Sequence, residues 1–458
     1  MIFAMIPSIA VGATDAATVG ASLDVAKVGK VADADTLKAE YAAAGWTEIT
    51  SVGDFNTITT GNYYLSGDIE VQAGETLKAV YTGEIILDGC GYAIKYVDQD
   101  CSIFKAQIRG YDLYVKNLSI INAKVDEADE TTDSVDCAGI LFDNVDRCRP
   151  QIDNVYLSGE LNVGENASHI NYAGLLVGFI GKSSGNVSIT NTVVEGTLTC
   201  AAANAAVGGM IGQSSIASGS SLNIENCIGN VDCFFTPTSK TDATAGTGGF
   251  VGKAARTVNI MSCTNNGNVY APSCFGSFVG SAIATPAVTI DSCVNKGGVY
   301  ATVADAPSCD EFVGYTVSGY TSTVNNSVNN GETKNVTLLG LDAGATAGWL
   351  SATDVDAEET RDVRFILALD AEAMKTATYT LTVTFTTSEG SISRSATKVT
   401  VFEGLIAGGV EYHATSGVVL CGLEITDVPE TDWTSVTVAF DADVDTLDFS
   451  GSADKPAA

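Results

Sequence analysis

Residues 187–191 read Val-Ser-Ile-Thr-Asn, and the pattern returns as Leu-Asn-Ile-Glu-Asn at 222–226, Val-Asn-Ile-Met-Ser at 258–262 and Val-Thr-Ile-Asp-Ser at 288–292. Each copy alternates two aliphatic residues with two variable ones and ends in Asn or Ser. With an earlier copy and two weaker ones, the terminal residues form a series: Asn117, Asn154, Asn191, Asn226, Ser262, Ser292 and Asn326. Successive members lie 30 to 37 residues apart, which indicates a repeat architecture.

Alternation with period two places both aliphatic residues of a copy, and the Asn or Ser after them, on one face of a short β-strand. Such a strand cannot bury its apolar face alone, but copies stacked about 4.8 Å apart bury a continuous aliphatic column. We expect the Asn and Ser side chains to form a structural ladder by hydrogen bonding along the axis. The pattern therefore predicts an all-β fold built on a right-handed parallel β-helix.

Glycine-rich pieces accompany these strands. Gly208-Gly-Met-Ile-Gly212 and Gly248-Gly-Phe-Val-Gly252 precede a strand, and Gly297-Gly-Val299 follows one. They predict three short strands per coil, with glycine at the corners. With these pieces the chain resembles proteins that carry GLUG motifs, over roughly residues 138–331. That resemblance implies a secreted bacterial protein, often an adhesive one.

The rest of the chain surrounds a β-helix expected over residues 49–331. Within residues 14–48, Asp35 to Ala44 predicts one amphipathic helix that caps the open end of the solenoid. Residues 332–458 contain longer alternating strands separated by turn signals, which predict an antiparallel β-sandwich of the immunoglobulin-like type. This last part is similar to accessory domains of secreted proteins from anaerobic bacteria.

The N-terminus and the charge bear on location and partners. Residues 1–13 resemble the remnant of a signal peptide, so we expect a secreted or cell-surface protein. A formal net charge of −32 repels phosphate backbones, so nucleic acid is not expected as a partner. After the N-terminus, no stretch reaches the roughly 18 to 20 apolar residues of a membrane span, and no membrane insertion is expected. A polysaccharide, or a glycan or protein of a host or bacterial surface, is the expected partner.

Three cysteines, Cys227, Cys263 and Cys293, occupy the same place in successive repeats, directly after the Asn or Ser. Equivalent positions stack in a solenoid, so these residues predict a cysteine ladder along the axis. Buried free thiols would act as small apolar fillers, whereas neighbouring coils are also close enough for disulfides. Zinc is disfavoured because no close Cys pair or His completes a tetrahedral set.

The chemistry of a carbohydrate-active enzyme is the main alternative to binding, since many β-helices are polysaccharide lyases or glycosidases. A uronate lyase needs Arg or Lys at its site, and the acidic field opposes an acidic polymer. A glycosidase needs two facing carboxylates, but a solvated acidic surface explains the acidic residues of this sequence equally well. The two histidines, His169 and His413, lie in no nucleophile motif, so we assign no catalytic residue.

Candidate ligand contacts are of two kinds. The tyrosines of the early coils are candidates for stacking on sugars: Tyr92, Tyr96, Tyr111, Tyr114 and Tyr156. The densest acidic run offers oxygen ligands for calcium, which is the one cofactor considered: Asp126, Glu127, Asp129 and Glu130. Three hypotheses follow: a non-catalytic adhesin-like or glycan-binding protein, a β-helix carbohydrate-active enzyme, and a structural spacer.

Overall fold

The computed structural model describes residues 19–106, 111–126, 137–164, 170–182, 185–203, 205–235, 246–272, 274–283, 288–301, 309–318 and 321–331, and further on the backbone of nine strands from Thr333. The predicted signal remnant, residues 1–13, lies outside the described residues. Up to Gly331 the chain is a parallel β-helix, in which each strand pairs with its counterpart one coil away. The right-handed sense of the coil stays a prediction.

The core follows directly from the aliphatic pairs of the repeat. Ile189, Ile224, Ile260 and Ile290 are partners in register across four successive coils, and all four side chains are buried. The residue before each of them, on the strand's other face, is half-buried. β-Branched residues suit such pleated strands, so one column of isoleucine and one of valine or leucine form the wall of a continuous core.

One face of the solenoid, here called the ladder face, carries the repeat strands and ends at the Asn or Ser series. Its strands are Thr47–Ile49, Gly61–Leu65, Ile85–Asp88, Val187–Thr190, Leu222–Glu225, Val258–Met261, Val288–Asp291 and Ser322–Asn325. Two long strands, Asp112–Asp126 and Arg149–Val163, begin on the ladder face and continue through the corner onto the next face.

The Asn and Ser series lies at the corner where the ladder face ends, here called the ladder corner. The face that follows this corner is here called the third face. Its remaining strands are Ile69–Glu70, Ala93–Lys95, Asp98–Gln99, Val193–Cys200, Ile228–Phe235, Thr264–Asn265, Val269–Ala271, Val294–Asn295, Val299–Ala301 and Val328–Asn329.

A further parallel sheet, here called the first face, precedes the ladder face in each coil. Its strands are Ala79–Tyr81, Phe104–Ala106, Phe142–Asp146, Val177–Gly181, Ile211–Ser215, Val251–Ala254, Val279–Ala282 and Val313–Thr316. A narrow sheet leads into it, made of Cys137–Ala138, Tyr172–Gly174, Ala206–Gly208, Thr247–Gly248, Phe275–Gly276 and Cys309–Asp310.

The glycine-rich pieces form the tight corner between the narrow sheet and the first face. A Cβ on Gly212 would lie 2.5 Å from the carbonyl oxygen of Gly178 and 2.6 Å from the amide nitrogen of Ala173, in the neighbouring coil. Backbone of adjacent coils therefore approaches where any side chain would collide.

The predicted capping helix forms, with a different role. It spans Ala34–Ala43, begins at an Asp33 cap and contains no buried residue. Its Lys38 and Tyr41 contact the flank of the early coils rather than the open end. The prediction that this helix caps the core is thus wrong. A short helix at Val52–Phe55 buries Phe55 against Phe104 at the end of the core instead, because its apolar side chains, unlike those of Ala34–Ala43, point inward.

Beyond Gly331 the strand Thr333–Leu341 first pairs in parallel with Val299–Ala301 of the solenoid. All other described pairings in this part of the chain are antiparallel. One sheet contains Thr333–Leu341, Trp349–Asp354, Thr360–Asp370, Val410–Thr415 and Val418–Pro429, and the other contains Thr378–Thr387, Gly390–Val399, Trp433–Ala442 and Gly451–Asp454. Packing of these sheets into an immunoglobulin-like sandwich stays a prediction.

Candidate functional site

The Asn and Ser series occupies one corner, and each member has a left-handed backbone. The φ angles lie between +48° and +55°: Asn117, Asn154, Asn191, Asn226, Ser262, Ser292 and Asn326. Asn tolerates this conformation far better than most residues. The left-handed turn directs these side chains outward, so the expectation that they share the inward face of the aliphatic pair is wrong.

Hydrogen bonds join the series only in part. Nδ2 of Asn154 donates to Oδ1 of Asn117 at 2.9 Å, and Nδ2 of Asn226 donates to Oδ1 of Asn191 at 2.8 Å. Asn191 itself donates to Oδ1 of Asp153 at 2.8 Å instead of to Asn154. The ladder therefore consists of short amide chains interrupted by carboxylates.

A second, buried amide ladder, which the repeat pattern does not predict, lies inside the core. Nδ2 of Asn265 donates to Oδ1 of Asn295 at 2.8 Å, and Nδ2 of Asn295 donates to Oδ1 of Asn329 at 2.7 Å. Asn265 and Asn295 are fully buried, and each also donates to the carbonyl oxygen of the glycine two residues on. The recurring Asn-x-Gly at 265–267, 295–297 and 329–331 is the sequence signal that marks it.

The cysteine series forms a column of free thiols. The backbone N–H of Cys227 donates to Sγ of Cys263 at 3.4 Å, and that of Cys263 donates to Sγ of Cys293 at 3.4 Å. Burial raises the pKa of the Cys263 thiol well above its usual value. Cys227, Cys263 and Cys293 are free thiols, and their N–H to sulfur contacts make them hydrogen-bonding parts of the core.

The outer surface of the ladder face presents one half-buried polar side chain per coil. This row, here called the outer row, consists of Tyr114, Gln151, Ser188, Asn223, Asn259 and Thr289, which are strand partners in register. Nδ2 of Asn259 donates to Oδ1 of Asn223 at 2.9 Å. Among the described residues, Nδ2 of Asn223 and Oδ1 of Asn259 have no hydrogen-bond partner, so one amide donor and one amide acceptor remain available.

An acidic row runs beside the outer row on the same strands. It contains Asp88, Asp153, Glu225 and Asp291, which alternate in register with Lys116, Thr190 and Met261. The outer row is thus an uncharged strip with a carboxylate beside it in every second coil, which disfavours an anionic ligand.

Asp88 is the most heavily bonded of these carboxylates. It is fully buried, lies 3.2 Å from Nζ of Lys116, and accepts hydrogen bonds from the Tyr41 hydroxyl at 2.7 Å and from Nδ2 of Asn117 at 3.0 Å. Burial, with the Asp88 carboxylate beside it, raises the pKa of Tyr41 to about 12. The cluster fixes the helix Ala34–Ala43 to the solenoid, because a buried carboxylate needs these partners.

The five candidate tyrosines do not form one platform. Tyr92 contacts Lys38, which donates to its hydroxyl at 2.7 Å, and Tyr156 donates to Oε1 of Glu195 at 2.5 Å. Tyr96 is 51% exposed, and Tyr111 and Tyr114 are half-buried at the surface. Of the five, Tyr114 alone belongs to the outer row.

The calcium candidates are only partly within the structure. Asp126 ends a long strand, and its Oδ1 accepts from Nδ2 of Asn162 at 3.3 Å. Glu127, Asp129 and Glu130 lie outside the described residues. Within the described part of the chain, no three His, Cys, Asp or Glu side chains cluster as metal ligands would. In the same part, no helix is long and apolar enough to cross a membrane.

No protein-family model matches the chain, and no curated protein matches it either. Among solved structures, the chain has a slight similarity to the enzymatically active domain of tailspike protein 4 of bacteriophage CBA120. The sequence identity is 11% and the TM-score 0.17, over 85% of this chain and 65% of that one. The chain thus spans just under two thirds of the length of that domain.

Proposed function

We propose that this chain is a non-catalytic secreted or cell-surface protein of the adhesin type, which binds a neutral glycan along the outer row of its ladder face. The observation that carries the proposal is the repetition of one polar side chain per coil, from Tyr114 to Thr289. Coils repeat about every 4.8 Å, close to the length of one sugar residue in an extended chain.

The chemistry of the row suits sugar hydroxyl groups. Amide and hydroxyl side chains both donate and accept hydrogen bonds, and Asn223 and Asn259 expose one donor and one acceptor in adjacent coils. Tyr114 adds an aromatic face at one end. The acidic row opposes uronates and sulfated polymers, so a neutral polysaccharide is the ligand class that fits. The resemblance to GLUG-motif proteins supports the same assignment.

To separate binding from catalysis, the full-length protein is tested with neutral and with anionic polysaccharides. Binding is measured as retention in affinity gels that contain the polymer, and catalysis is measured as the release of sugars. We expect retention by a neutral polymer without product. The double variant N223A/N259A should weaken retention by about tenfold, the effect of losing one or two hydrogen bonds. The matched control is N162A, an amide on the third face.

Other outcomes decide against the proposal. Release of oligosaccharides would show a carbohydrate-active enzyme, and no retention by any polymer would show a structural spacer. Equal retention by N223A/N259A and N162A would place binding elsewhere on the surface.

A further inference from the structure

The N-terminal segment before the helix lies across the coils, on the outside of the ladder corner. The N–H of Gly20 donates to the carbonyl oxygen of Ser292, the N–H of Ser22 donates to Oδ1 of Asn226, and the N–H of Gly29 donates to Oδ1 of Asn154, at 2.9–3.0 Å. Residues 20 to 31 therefore contact successively earlier coils, ending beside Gly91.

Apolar contacts reinforce these hydrogen bonds. Val28 is 4% exposed and packs against Val193 and Ile228, two side chains that point outward from the third face. Ala21 and Leu23 pack against the same group. Those outward positions are apolar because the segment covers them.

The fit is close at the glycines of the segment. Gly29 has a φ of +74°, and a Cβ there would lie 2.9 Å from the carbonyl oxygen of Leu118. Gly20 has a φ of +104°, and its Cβ would lie 2.6 Å from Oγ1 of Thr264. The segment thus follows the corner at a distance that leaves no room for side chains at these two points.

A solenoid without such a segment has contacts only between neighbouring coils, so it opens from its ends one coil at a time. Here the partners of one segment, from Asn154 to Ser292, belong to coils far apart in sequence. We propose that residues 19–31 form a strap that locks these coils together, so that they open as one unit. The strap can dock only when the coils are in register, because each contact comes from a different coil.

Hydrogen exchange of the full-length protein tests the strap. In V28D the charged side chain cannot occupy the apolar position, and amide exchange over residues 258–291 should accelerate by about tenfold or more. The matched control is V25D, because Val25 is in the same segment and 39% exposed. Residues 61–65, which precede the coils that the strap touches, should change little in either variant.

A milder pair keeps the test decisive if V28D fails to fold. G29A and G74A both place alanine at a positive φ, but a Cβ on Gly74 meets nothing within 4 Å. G29A should therefore accelerate exchange over residues 258–291 more than G74A does. If V28D matches V25D and G29A matches G74A, the segment is a passive cover and the proposal is overturned.

Discussion

The carboxamide of Asn226 donates to Oδ1 of Asn191 across one coil, at 2.8 Å, and the two residues share a left-handed backbone with φ near +50°. The hydrogen bond and the backbone conformation are two separate reasons for Asn at this corner. A substitution can remove the hydrogen bond and either keep the strained left-handed backbone or relieve its strain. The two contributions to stability can therefore be measured separately.

Asn191 provides that measurement because it does not contact the strap in any hydrogen bond of the described residues. N191A and N191G both lose the bond to Asp153 and the bond from Asn226. Only alanine keeps a strained left-handed backbone, so N191A should lower the free energy of unfolding by about 1 kcal/mol more than N191G. Denaturant titration checks this, and equal losses would mean that the backbone conformation contributes nothing.

The sequence predicted the repeat strands and the positions of the series at Asn191 and Asn226, because alternation and spacing are properties of the sequence alone. It did not predict that the side chains point outward, because a period of two holds only while the backbone stays extended. The strap was also missed. Its partners lie up to 272 residues away in sequence, as for Gly20 and Ser292, and no local pattern records a contact at such a distance.

The buried amide ladder predicts an unequal response of two neighbouring asparagines. Asn295 is fully buried and bonded on both sides, whereas Asn266 lies at the half-buried outer surface and donates to Oδ1 of Asn230. N295A should lower the free energy of unfolding by about 3 kcal/mol, because Asn265 and Asn329 lose a buried partner. N266A should cost less than about 1 kcal/mol. Denaturant titration of both variants decides whether the inner amides are structural.

A buried thiol predicts loss of stability in alkali. Burial raises the pKa of Cys200 to about 12 from a value of 9.0. Between these values the folded thiol keeps its proton while the unfolded one loses it, so stability is fully present below about pH 9 and falls as pH rises toward 12. The fall from this group amounts to about 4 kcal/mol. C200A should show a shallower decline over that window, measured by denaturant titration at several pH values.

The control for that experiment is C101A, because Cys101 is half-exposed. The stability of C101A should fall with rising pH as steeply as that of the unmodified protein. If the stability of C200A also falls as steeply as that of the unmodified protein, tyrosines and lysines cause the loss of stability in alkali and the Cys200 thiol does not.

The corner glycines predict the sharpest contrast between two substitutions that look alike in sequence. Neither Gly212 nor Gly67 has a positive φ, so alanine is compatible with the backbone at both positions. At Gly212 the added methyl group would meet backbone of the neighbouring coil at 2.5 Å, and backbone cannot rotate away as a side chain can. The coils would have to separate, which breaks the parallel pairing on both sides of the corner. G212A should therefore lower the free energy of unfolding by about 3 kcal/mol or more.

At Gly67 nothing lies within 4 Å, and G67A should leave stability unchanged or raise it by about 0.5 kcal/mol, since alanine restricts the unfolded chain. Thermal unfolding of the two variants side by side is the test, and a G212A protein as stable as G67A would mean that the coils at this corner are further apart than the structure places them.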